Sequence, residues 1–512
     1  MLDAANWTAR LNELASRARV PGATLGIWSD GQEILAAHGV LNTGTGVPVT
    51  TDSLFQLGSI TKIWTATMIM QLVDEGLLGL DTVVSQALPG VRPGAGDVGD
   101  QVTVRHLLTH TSGIDGDIFT DTGRGDDCVP RYVDELAGAP SVFAPGAAYS
   151  YSNSGYVLLG RIIEVLDGQS WDESLRQRLT GPLSVTRTVT LPEEAILHRA
   201  AVGHHRGDTP VQIWGLPRSI GPAGLITATA SDLLTFARLH LGGGVSAEGK
   251  RLLSEASAAA MQAPYATIPE FSSPGAAIGL GWRLSRWGDR TIIGHDGDTI
   301  GQSAYLRLDP EAGVAACLLT NSVESETLYR ELFSEVFGTL VGMTVPAPPG
   351  PVPAAADGNA DLERYAGRYE RTSRRLDVSV RDGQLRMVVT MTGNLAALTD
   401  SEPEEVILHR ADSSGTRFVL RSGDEDPWVP LSFGQFGDGR LYIYLSGRVT
   451  PRVRLAAARA RFRLGDPVGA QQGGDLRAGR FRVTGRRYSR WSPSGRAPRS
   501  SSSLAVEGRQ PV

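Results

Sequence analysis

Ser59 and Lys62 form the first pair of residues whose types and spacing are suited to chemistry. Residues three apart share one face of a helix, so the hydroxyl and the amine would lie side by side. A serine hydroxyl is a weak nucleophile unless a base activates it, and an amine with a lowered pKa is such a base. The alternative is a structural pair, in which the serine caps the helix and the lysine extends towards solvent.

Lysine is rare in this chain, because only Lys62 and Lys250 among its 49 lysine and arginine residues are lysines. A guanidinium stays protonated at any working pH, whereas an amine can lose its proton. Scarcity alone proves nothing, so the catalytic interpretation of Lys62 depends on the motifs further along the chain. Lys250 lies in the turn-like segment SAEGKR and has no comparable reason to be lysine.

The segment PGAAYSYSNSGYVLLG places Tyr151 and Asn153 in a loop just before a predicted helix. Tyr151 could relay a proton if a nearby cation lowered its pKa, and Asn153 could hold a substrate amide or carbonyl. An ordinary loop with a side-chain cap is the alternative. Tyr149, two residues earlier, competes with Tyr151 for a catalytic role.

His295 and Gly297 stand in the sequence HDG at the end of a predicted strand. A glycine in this position lets a ligand approach the backbone closely. Because His295 is one of nine histidines, a structural role is the alternative. The segment LLTHTSG contains His110 but no obvious reactive group, so it is interpreted as architectural.

Taken together, the motifs Ser-x-x-Lys, Tyr-x-Asn and His-x-Gly resemble those of the serine penicillin-recognising superfamily, in the same order and at similar separations. The segments FQLGSITK, LLTHTSG and GPAGLITATASDLLTF also resemble that superfamily. The closer match is its class C β-lactamase-like branch, with DD-peptidases, D-aminopeptidases, esterases and transacylases. The resemblance covers roughly residues 5–342. It implies an α+β fold in which an antiparallel β-sheet is flanked by helices, with an all-helical subdomain (β-lactamase/transpeptidase-like).

The resemblance also implies catalytic roles for three matching residues. Ser59 matches the nucleophile that forms an acyl-enzyme, and Lys62 matches the residue that activates it. Tyr151 matches the general base towards Ser59 and the general acid towards the leaving group. Whether Lys62 or Tyr151 takes the first proton is left open.

Four further residues match substrate-binding positions. Asn153 matches the amide that orients the substrate, and His295 and Gly297 match the third motif. The backbone N–H groups of Asp298 and Ser59 would form the oxyanion hole. Each well-aimed donor of such a hole stabilises the tetrahedral intermediate by about 3 kcal/mol.

The third motif departs from that of class C β-lactamases, which have Lys-Thr-Gly where this chain has His-Asp-Gly. An imidazole that is neutral near pH 7 is a poor partner for a substrate carboxylate. The sequence therefore favours a serine hydrolase of an ester or amide, of esterase, amidase or D-aminopeptidase type. The alternatives are a transacylase that passes the acyl group to an amine or alcohol, a β-lactamase or DD-carboxypeptidase, and a non-catalytic binding protein with this fold.

Several predicted elements position these residues. A helix is predicted from about Ser59 to Glu75, ending at Gly76, and its charge-free run IWTATMIMQLV is typical of a buried helix. The runs ATLGIWS and QEILAAHG flank Asp30-Gly31, which indicates a β-hairpin. The later runs RTIIGH, QSAYLRLD and GVAACLLT predict strands that place HDG in an antiparallel sheet.

The chain is predicted to contain a β-lactamase-like catalytic domain (1–344), a Pro/Ala-rich linker (345–359), a C-terminal β-barrel-like domain (360–458) and an Arg-rich, disordered tail (459–512). The segment that opens LERYAGRYE resembles the lipocalin-like all-β domain fused to this family. A simple packing interface between the two domains is the favoured arrangement. The alternative is a loop of the β domain that reaches the mouth of the active site.

Composition argues against several classes of protein. A net charge of −6 does not favour nucleic-acid binding. The N-terminus has no apolar signal-peptide core and no run is long enough to span a bilayer, so a cytoplasmic protein without a membrane partner is expected. Cys128 and Cys317 offer neither a disulfide framework nor metal spacing. We therefore predict no metal and no cofactor, and a small-molecule ester or amide as the partner; the oligomeric state stays open.

Overall fold

The structure is a computed structural model that describes residues 3–94, 96–205, 208–269, 275–353, 362–394, 396, 402–423 and 426–453. The predicted tail and part of the predicted linker lie outside these residues. The α-helices of the described residues are α1 Ala4–Arg17, α2 Thr61–Asp74, α3 Val84–Ala87, α4 Val104–Leu108, α5 Cys128–Glu135, α6 Asn153–Asp167, α7 Trp171–Leu175, α8 Pro192–Ala195, α9 Gly221–Gly224, α10 Ala230–Leu241, α11 Glu255–Gln262 and α12 Glu326–Val341.

The strands alternate with these helices and then follow one another in the C-terminal part. They are β1 Gly22–Ser29, β2 Gln32–Asn42, β3 Val47–Pro48, β4 Phe55–Gln56, β5 Thr188–Val189, β6 His204–His205, β7 Thr209–Pro210, β8 Thr227–Ala228, β9 Ala266–Thr267, β10 Ala277–Ile278, β11 Arg283–Trp287, β12 Arg290–Asp298, β13 Ser303–Asp309, β14 Val314–Thr320, β15 Gly367–Arg371, β16 Arg374–Arg381, β17 Gln384–Met391, β18 Glu404–Arg410, β19 Arg417–Leu420, β20 Val429–Gln435, β21 Leu441–Leu445 and β22 Arg448–Pro451.

The catalytic part is built on a nine-stranded sheet with the order β3-β2-β1-β14-β13-β12-β11-β10-β9. All of its pairings are antiparallel. The predicted hairpin is confirmed, since Asp30 and Gly31 have φ of 50° and 75° between β1 and β2. Strand β1 pairs with β14, so the hairpin near the N-terminus lies next to the strand of this sheet that comes last along the chain. The α+β fold class that the sequence predicts is confirmed.

Helix α2 is the central helix of this part, and Thr61 to Leu72 are all buried. Its apolar run contacts helices α6 and α9 and lies in the largest hydrophobic core. The predicted helix start at Ser59 is wrong, because Gly58–Ile60 form a 3₁₀ turn and the α-helix begins at Thr61. The helix ends before Gly76, whose φ of 73° is the left-handed conformation that stops a helix.

The C-terminal part is an antiparallel eight-stranded meander in the order β15 to β22. The bridge between Tyr369 and Arg452 joins its first and last strands into a near-closed barrel. Closure pairs the strand edges that would otherwise be open. The barrel interior holds apolar side chains, among them Leu376, Met387 and Phe418. The all-β character predicted for this segment is confirmed.

The barrel packs against the catalytic part through a small apolar cluster. Its members come from both sides and are Val142, Phe143, Tyr149, Ile268, Ala276, Ile278, Tyr444 and Val449. Of the predicted linker, Val345 donates its N–H to Ser334 Oγ (3.2 Å) on α12, and Val352 donates to Arg410 O (2.9 Å) on β18. The described residues of this segment, 345–353, are therefore hydrogen-bonded to both parts.

No helix among the described residues combines the length and the apolar character that crossing a membrane requires.

Replacing Trp64 on α2 by alanine tests the importance of the helical core. The indole is fully buried and stacks on Phe236 with ring centroids 3.8 Å apart. Trp64→Ala should lower the free energy of unfolding by about 3–5 kcal/mol, because the cavity cannot collapse completely. The measurement is chemical denaturation followed by circular dichroism. Val165→Ala is the control, since Val165 is 43% exposed and should change stability by no more than about 0.5 kcal/mol; equal effects would contradict the prediction.

Candidate active site

Ser59 and Lys62 lie side by side where the 3₁₀ turn runs into α2. Lys62 Nζ is 3.0 Å from Ser59 Oγ and donates to the carbonyl oxygen of Ala223 at 2.6 Å. The lysine is completely buried, whereas Ser59 is half-buried between buried neighbours. The structural alternative is wrong in both its parts, because the serine makes no capping hydrogen bond and the lysine does not extend into solvent.

The environment of Lys62 favours an uncharged amine. Burial, with a smaller contribution from the positive charge of Arg448, lowers the pKa of Lys62 well below its usual range, and Asp117 opposes the shift. Burial disfavours the ammonium because water no longer solvates it. A neutral amine 3.0 Å from the Ser59 hydroxyl can accept its proton.

Tyr151 lies directly beside this pair. Lys62 Nζ is 4.9 Å from the centroid of the Tyr151 ring. The phenol oxygen is buried and lies beside Ser59. Burial raises the pKa of Tyr151 far above its ordinary value, and the neighbouring Ser59 offsets this only in part. The phenol therefore stays protonated at neutral pH and can act as a proton donor.

The loop before α6 is fixed by the backbone and ring of His110. Ser150 donates its N–H to His110 O (2.9 Å), and Ser152 donates to His110 Nδ1 (3.0 Å). The imidazole lies against the Tyr151 ring with centroids 4.4 Å apart. Since Nδ1 accepts a hydrogen bond, the proton of the neutral ring is on Nε2. His110 therefore positions Tyr151 from two sides, a role that the sequence interpretation of LLTHTSG did not include.

His295 lies at the same site, near the end of β12. It is 3% exposed, and its ring centroid is 5.9 Å from that of Tyr151. Burial, reinforced by Lys62, lowers the pKa of His295 to about 3. Its Nδ1 donates to the carbonyl oxygen of Asp296 at 2.5 Å. The ring is therefore neutral, as the departure from Lys-Thr-Gly suggested, and supplies no fixed positive charge.

Gly297 and Asp298 lie against the turn that carries Ser59. A Cβ atom on Gly297 would be 1.9 Å from Leu57 O and 2.8 Å from Ser59 N, so only glycine fits. Gly58, with φ of 51°, lies so close to the strand that its Cβ would be 2.8 Å from Asp298 N. The close approach of the two backbone segments therefore requires glycine at both positions.

The N–H groups of Ser59 and Asp298 lie where the turn of Ser59 meets the end of β12. Thr299 N donates to Gln302 O (2.9 Å), and alternate residues of an antiparallel strand point their N–H groups in opposite directions. The Asp298 N–H consequently points away from β13. The Ser59 N–H belongs to the first turn of a helix, where it has no partner within the helix. The two groups are suited to binding an oxyanion.

All seven residues predicted from the sequence lie around this site. Lys62 and Tyr151 lie beside the Ser59 hydroxyl. The strand end from His295 to Asp298 lies against the turn of Ser59 and near the ring of Tyr151. Asn153 begins α6, two residues after Tyr151. Asn153 is 8% exposed and donates from Nδ2 to Asp117 Oδ1 at 3.0 Å. Tyr149, the competing tyrosine, packs instead in the cluster between the catalytic part and the barrel.

The sequence interpretation missed a contribution from the barrel. The turn between β21 and β22 reaches the site, where Gly447 O accepts the N–H of Tyr151 (2.9 Å) and Arg448 Cζ is 4.9 Å from the Tyr151 ring centroid. Arg448 also forms two hydrogen bonds with Asp117, at 2.6 and 3.1 Å. The favoured prediction of a simple packing interface is therefore wrong. No local sequence signal distinguishes Arg448 from the many other arginines.

Comparison with known proteins agrees with this geometry. The family model Beta-lactamase matches residues 7–339, which is well over half of the chain. The chain belongs to the beta-lactamase family. It is thus a serine hydrolase of the superfamily that includes the β-lactamases and the penicillin-binding proteins, as the resemblance of its motifs implied.

Proteins similar to this chain match between 63% and 88% of its length. Penicillin-binding protein 4 of Amycolatopsis lactamdurans is 46% identical over 378 residues, covering 72% of this chain and 98% of that protein. The crystal structure of SurE with D-Leu has a TM-score of 0.70 and 29% identity, over 88% of this chain and 99% of SurE. D-amino acid amidase from Ochrobactrum anthropi SV3, complexed with L-phenylalanine, has a TM-score of 0.53 and 27% identity, over 63% of this chain and 92% of the amidase.

Arg448 should set the pH at which the lysine becomes active. Arg448→Met removes a positive charge that lowers the pKa of Lys62, and it leaves Asp117, which raises that pKa, with one partner fewer. Both changes raise the pKa of Lys62. The acidic limb of the kcat/KM profile, which reports the free enzyme, should therefore move to higher pH.

Arg448→Lys is the matched control, because it keeps the positive charge and should leave the acidic limb close to its wild-type position even if the rate falls. Both profiles are measured with the same ester substrate. An acidic limb that stays in place in Arg448→Met would contradict the influence of Arg448 on Lys62.

Proposed function

We propose that the protein hydrolyses an amide or ester of a D-amino acid through an acyl-enzyme on Ser59. The observation that carries this proposal is the buried Lys62 amine at 3.0 Å from the Ser59 hydroxyl, with its pKa lowered. A serine next to a neutral amine is an activated nucleophile. The two similar structures, SurE bound to D-Leu and a D-amino acid amidase, support D-amino acid derivatives as the substrate class.

The geometry supports Lys62, rather than Tyr151, as the first base. Lys62 has a lowered pKa and contacts Ser59, whereas burial raises the pKa of Tyr151. Lys62 takes the proton as Ser59 Oγ attacks the carbonyl carbon of the substrate. The substrate oxygen becomes an oxyanion and binds the N–H groups of Ser59 and Asp298.

Collapse of the tetrahedral intermediate releases the amine or alcohol. Tyr151 gives its phenol proton to the leaving group and regains one from the Lys62 ammonium. Lys62 is then neutral again, and the acyl group is bonded to Ser59. Water attacks this ester with Lys62 as the base, which releases the acid and restores the serine.

The neutral His295 supports amides and esters over β-lactams. The Lys-Thr-Gly motif of class C β-lactamases offers a fixed cation at this position, and burial here lowers the pKa of His295 to about 3. A neutral imidazole binds a carboxylate weakly. We therefore expect slow or no hydrolysis of β-lactams, which carry a carboxylate.

Substituting the two lysines in turn tests the base. Lys62→Arg should reduce kcat/KM by about 10²–10⁴-fold, since guanidinium stays protonated and cannot act as a base. Lys250→Arg is the matched control and should keep the wild-type rate, because the Lys250 side chain is 57% exposed. Hydrolysis of a p-nitrophenyl ester is the measurement, with thermal melting to verify folding. A near-normal rate in folded Lys62→Arg would show that only the charge is needed.

A substrate panel tests the proposed function directly. It contains D- and L-amino acid amides, p-nitrophenyl esters and nitrocefin, and we expect turnover of the D-amides and esters above the L-amides and nitrocefin. Ser59→Ala should lose all of this turnover and keep its melting temperature. Intact-mass spectrometry should find an acyl adduct on the wild type that Ser59→Ala lacks.

Equal turnover of D- and L-amides would contradict the substrate class, and an adduct in Ser59→Ala would contradict the nucleophile. Addition of a competing amine separates hydrolysis from acyl transfer. If the amine captures most of the acyl group, the protein is a transacylase rather than a hydrolase of these compounds.

A further inference from the structure

A buried carboxylate joins the active site to the barrel. Asp117, in the loop that follows α4, is 4% exposed. Its Oδ1 accepts hydrogen bonds from Asn153 Nδ2 (3.0 Å) and Arg448 Nη2 (3.1 Å). Its Oδ2 accepts from Arg448 Nε and Arg371 Nη1, both at 2.6 Å. Each oxygen therefore has two donors, one of the four from the catalytic part and three from the barrel.

The barrel arginines keep this carboxylate charged. Burial alone would raise the pKa of Asp117, but Arg448 and Arg371 outweigh burial and hold the pKa well below its usual range. Arg371 is the last residue of β15 and Arg448 is the first residue of β22, so the two strands that close the barrel supply both cations. A buried carboxylate needs such partners, since an unpaired charge in the interior is strongly unfavourable.

Asp117 also determines which way the Asn153 amide faces. An ionised carboxylate only accepts hydrogen bonds, so the NH₂ group of Asn153 must face Asp117 and its oxygen must face elsewhere. The backbone reinforces this arrangement, because Asn153 and Ser154 donate their N–H groups to Gly116 O at 3.0 and 3.1 Å. The start of α6 is thus hydrogen-bonded to the loop that carries Asp117.

We propose that Asp117 is a positioning residue through which the C-terminal barrel orients Asn153 and Arg448 in the active site. The proposal rests on the proposed function, because it gives Asn153 the task of orienting the substrate. The barrel acts through one carboxylate: its two arginines fix Asp117, and Asp117 fixes the amide of Asn153 and the guanidinium over Tyr151.

The test compares Asp117→Asn with Asp115→Asn in the full-length protein. Asp115 is equally buried and also contacts the barrel, since its Oδ2 accepts the N–H of Thr372 at 2.6 Å. An asparagine at 117 replaces one carboxylate oxygen by an NH₂ group, so the two donors bonded to that oxygen lose their acceptor, and one of them belongs to Arg448 in either orientation. We expect kcat/KM to fall about 100-fold in Asp117→Asn, the loss typical of a misplaced binding group. Asp115→Asn should stay within about threefold, because an asparagine there can still accept from Thr372.

A double-mutant cycle separates positioning from a purely structural role. If part of the effect of Asp117 passes through Asn153, the loss in the double variant Asp117→Asn/Asn153→Ala should be smaller than the product of the two single losses, because only the part that passes through Arg448 remains to be lost. Independent losses that multiply would overturn the proposal. Arg371→Gln provides a further variant should Asp117→Asn fail to fold, since Arg371 contacts Asp117 but is not bonded to Asn153. It removes the positive charge beside Asp117 and should lower kcat/KM in the folded protein; wild-type kinetics would overturn the proposal.

Labelling of Ser59 by a fluorophosphonate distinguishes the two possible failures. No labelling of the folded wild type would overturn the proposed function and this inference together. Labelling of the wild type, with equal kcat/KM in Asp117→Asn and Asp115→Asn, would overturn the role of Asp117 alone.

Discussion

The complete burial of one lysine amine against a serine hydroxyl is the interaction on which the rest of the structure depends. Lys62 lies at the start of a helix whose first twelve residues are all buried. Its ammonium form cannot be solvated there, and Arg448 adds a repulsive charge. An amine that has lost its charge can act as the base that we propose. The helical core that surrounds α2 therefore contributes to chemistry as well as to stability.

The groups around this pair are held by backbone contacts from several elements. Glycine at positions 58 and 297 allows β12 to approach the turn that carries Ser59. The ring and carbonyl of His110 fix the loop that carries Tyr151. The Ser59–Lys62 pair, Tyr151 and the end of β12 are thus positioned by three different segments. Preorganisation of this kind is what an active site needs to stabilise developing charge.

The barrel is part of the active site as well as a domain packed beside it. Gly447 accepts a hydrogen bond from Tyr151, and Arg448 lies over the ring of the same tyrosine. The apolar cluster that includes Tyr149 and Tyr444 places this turn at the site. The interface combines apolar packing with a buried ion pair, Asp117 with Arg371 and Arg448, that requires accurate docking because its charges are desolvated.

The sequence by itself determined the chemistry-bearing pairs, since Ser59 and Lys62 meet through helical spacing and His295 to Asp298 through one strand end. It also predicted the α+β sheet and the all-β segment from their local patterns. Only the tertiary structure decided the pKa of Lys62 and the neutrality of His295, because both follow from burial by distant segments. The tertiary structure alone also brings Arg448 into hydrogen-bond contact with Asp117, 331 residues away along the chain. Local patterns encode spacing, whereas desolvation and long-range ion pairs arise when the chain has folded.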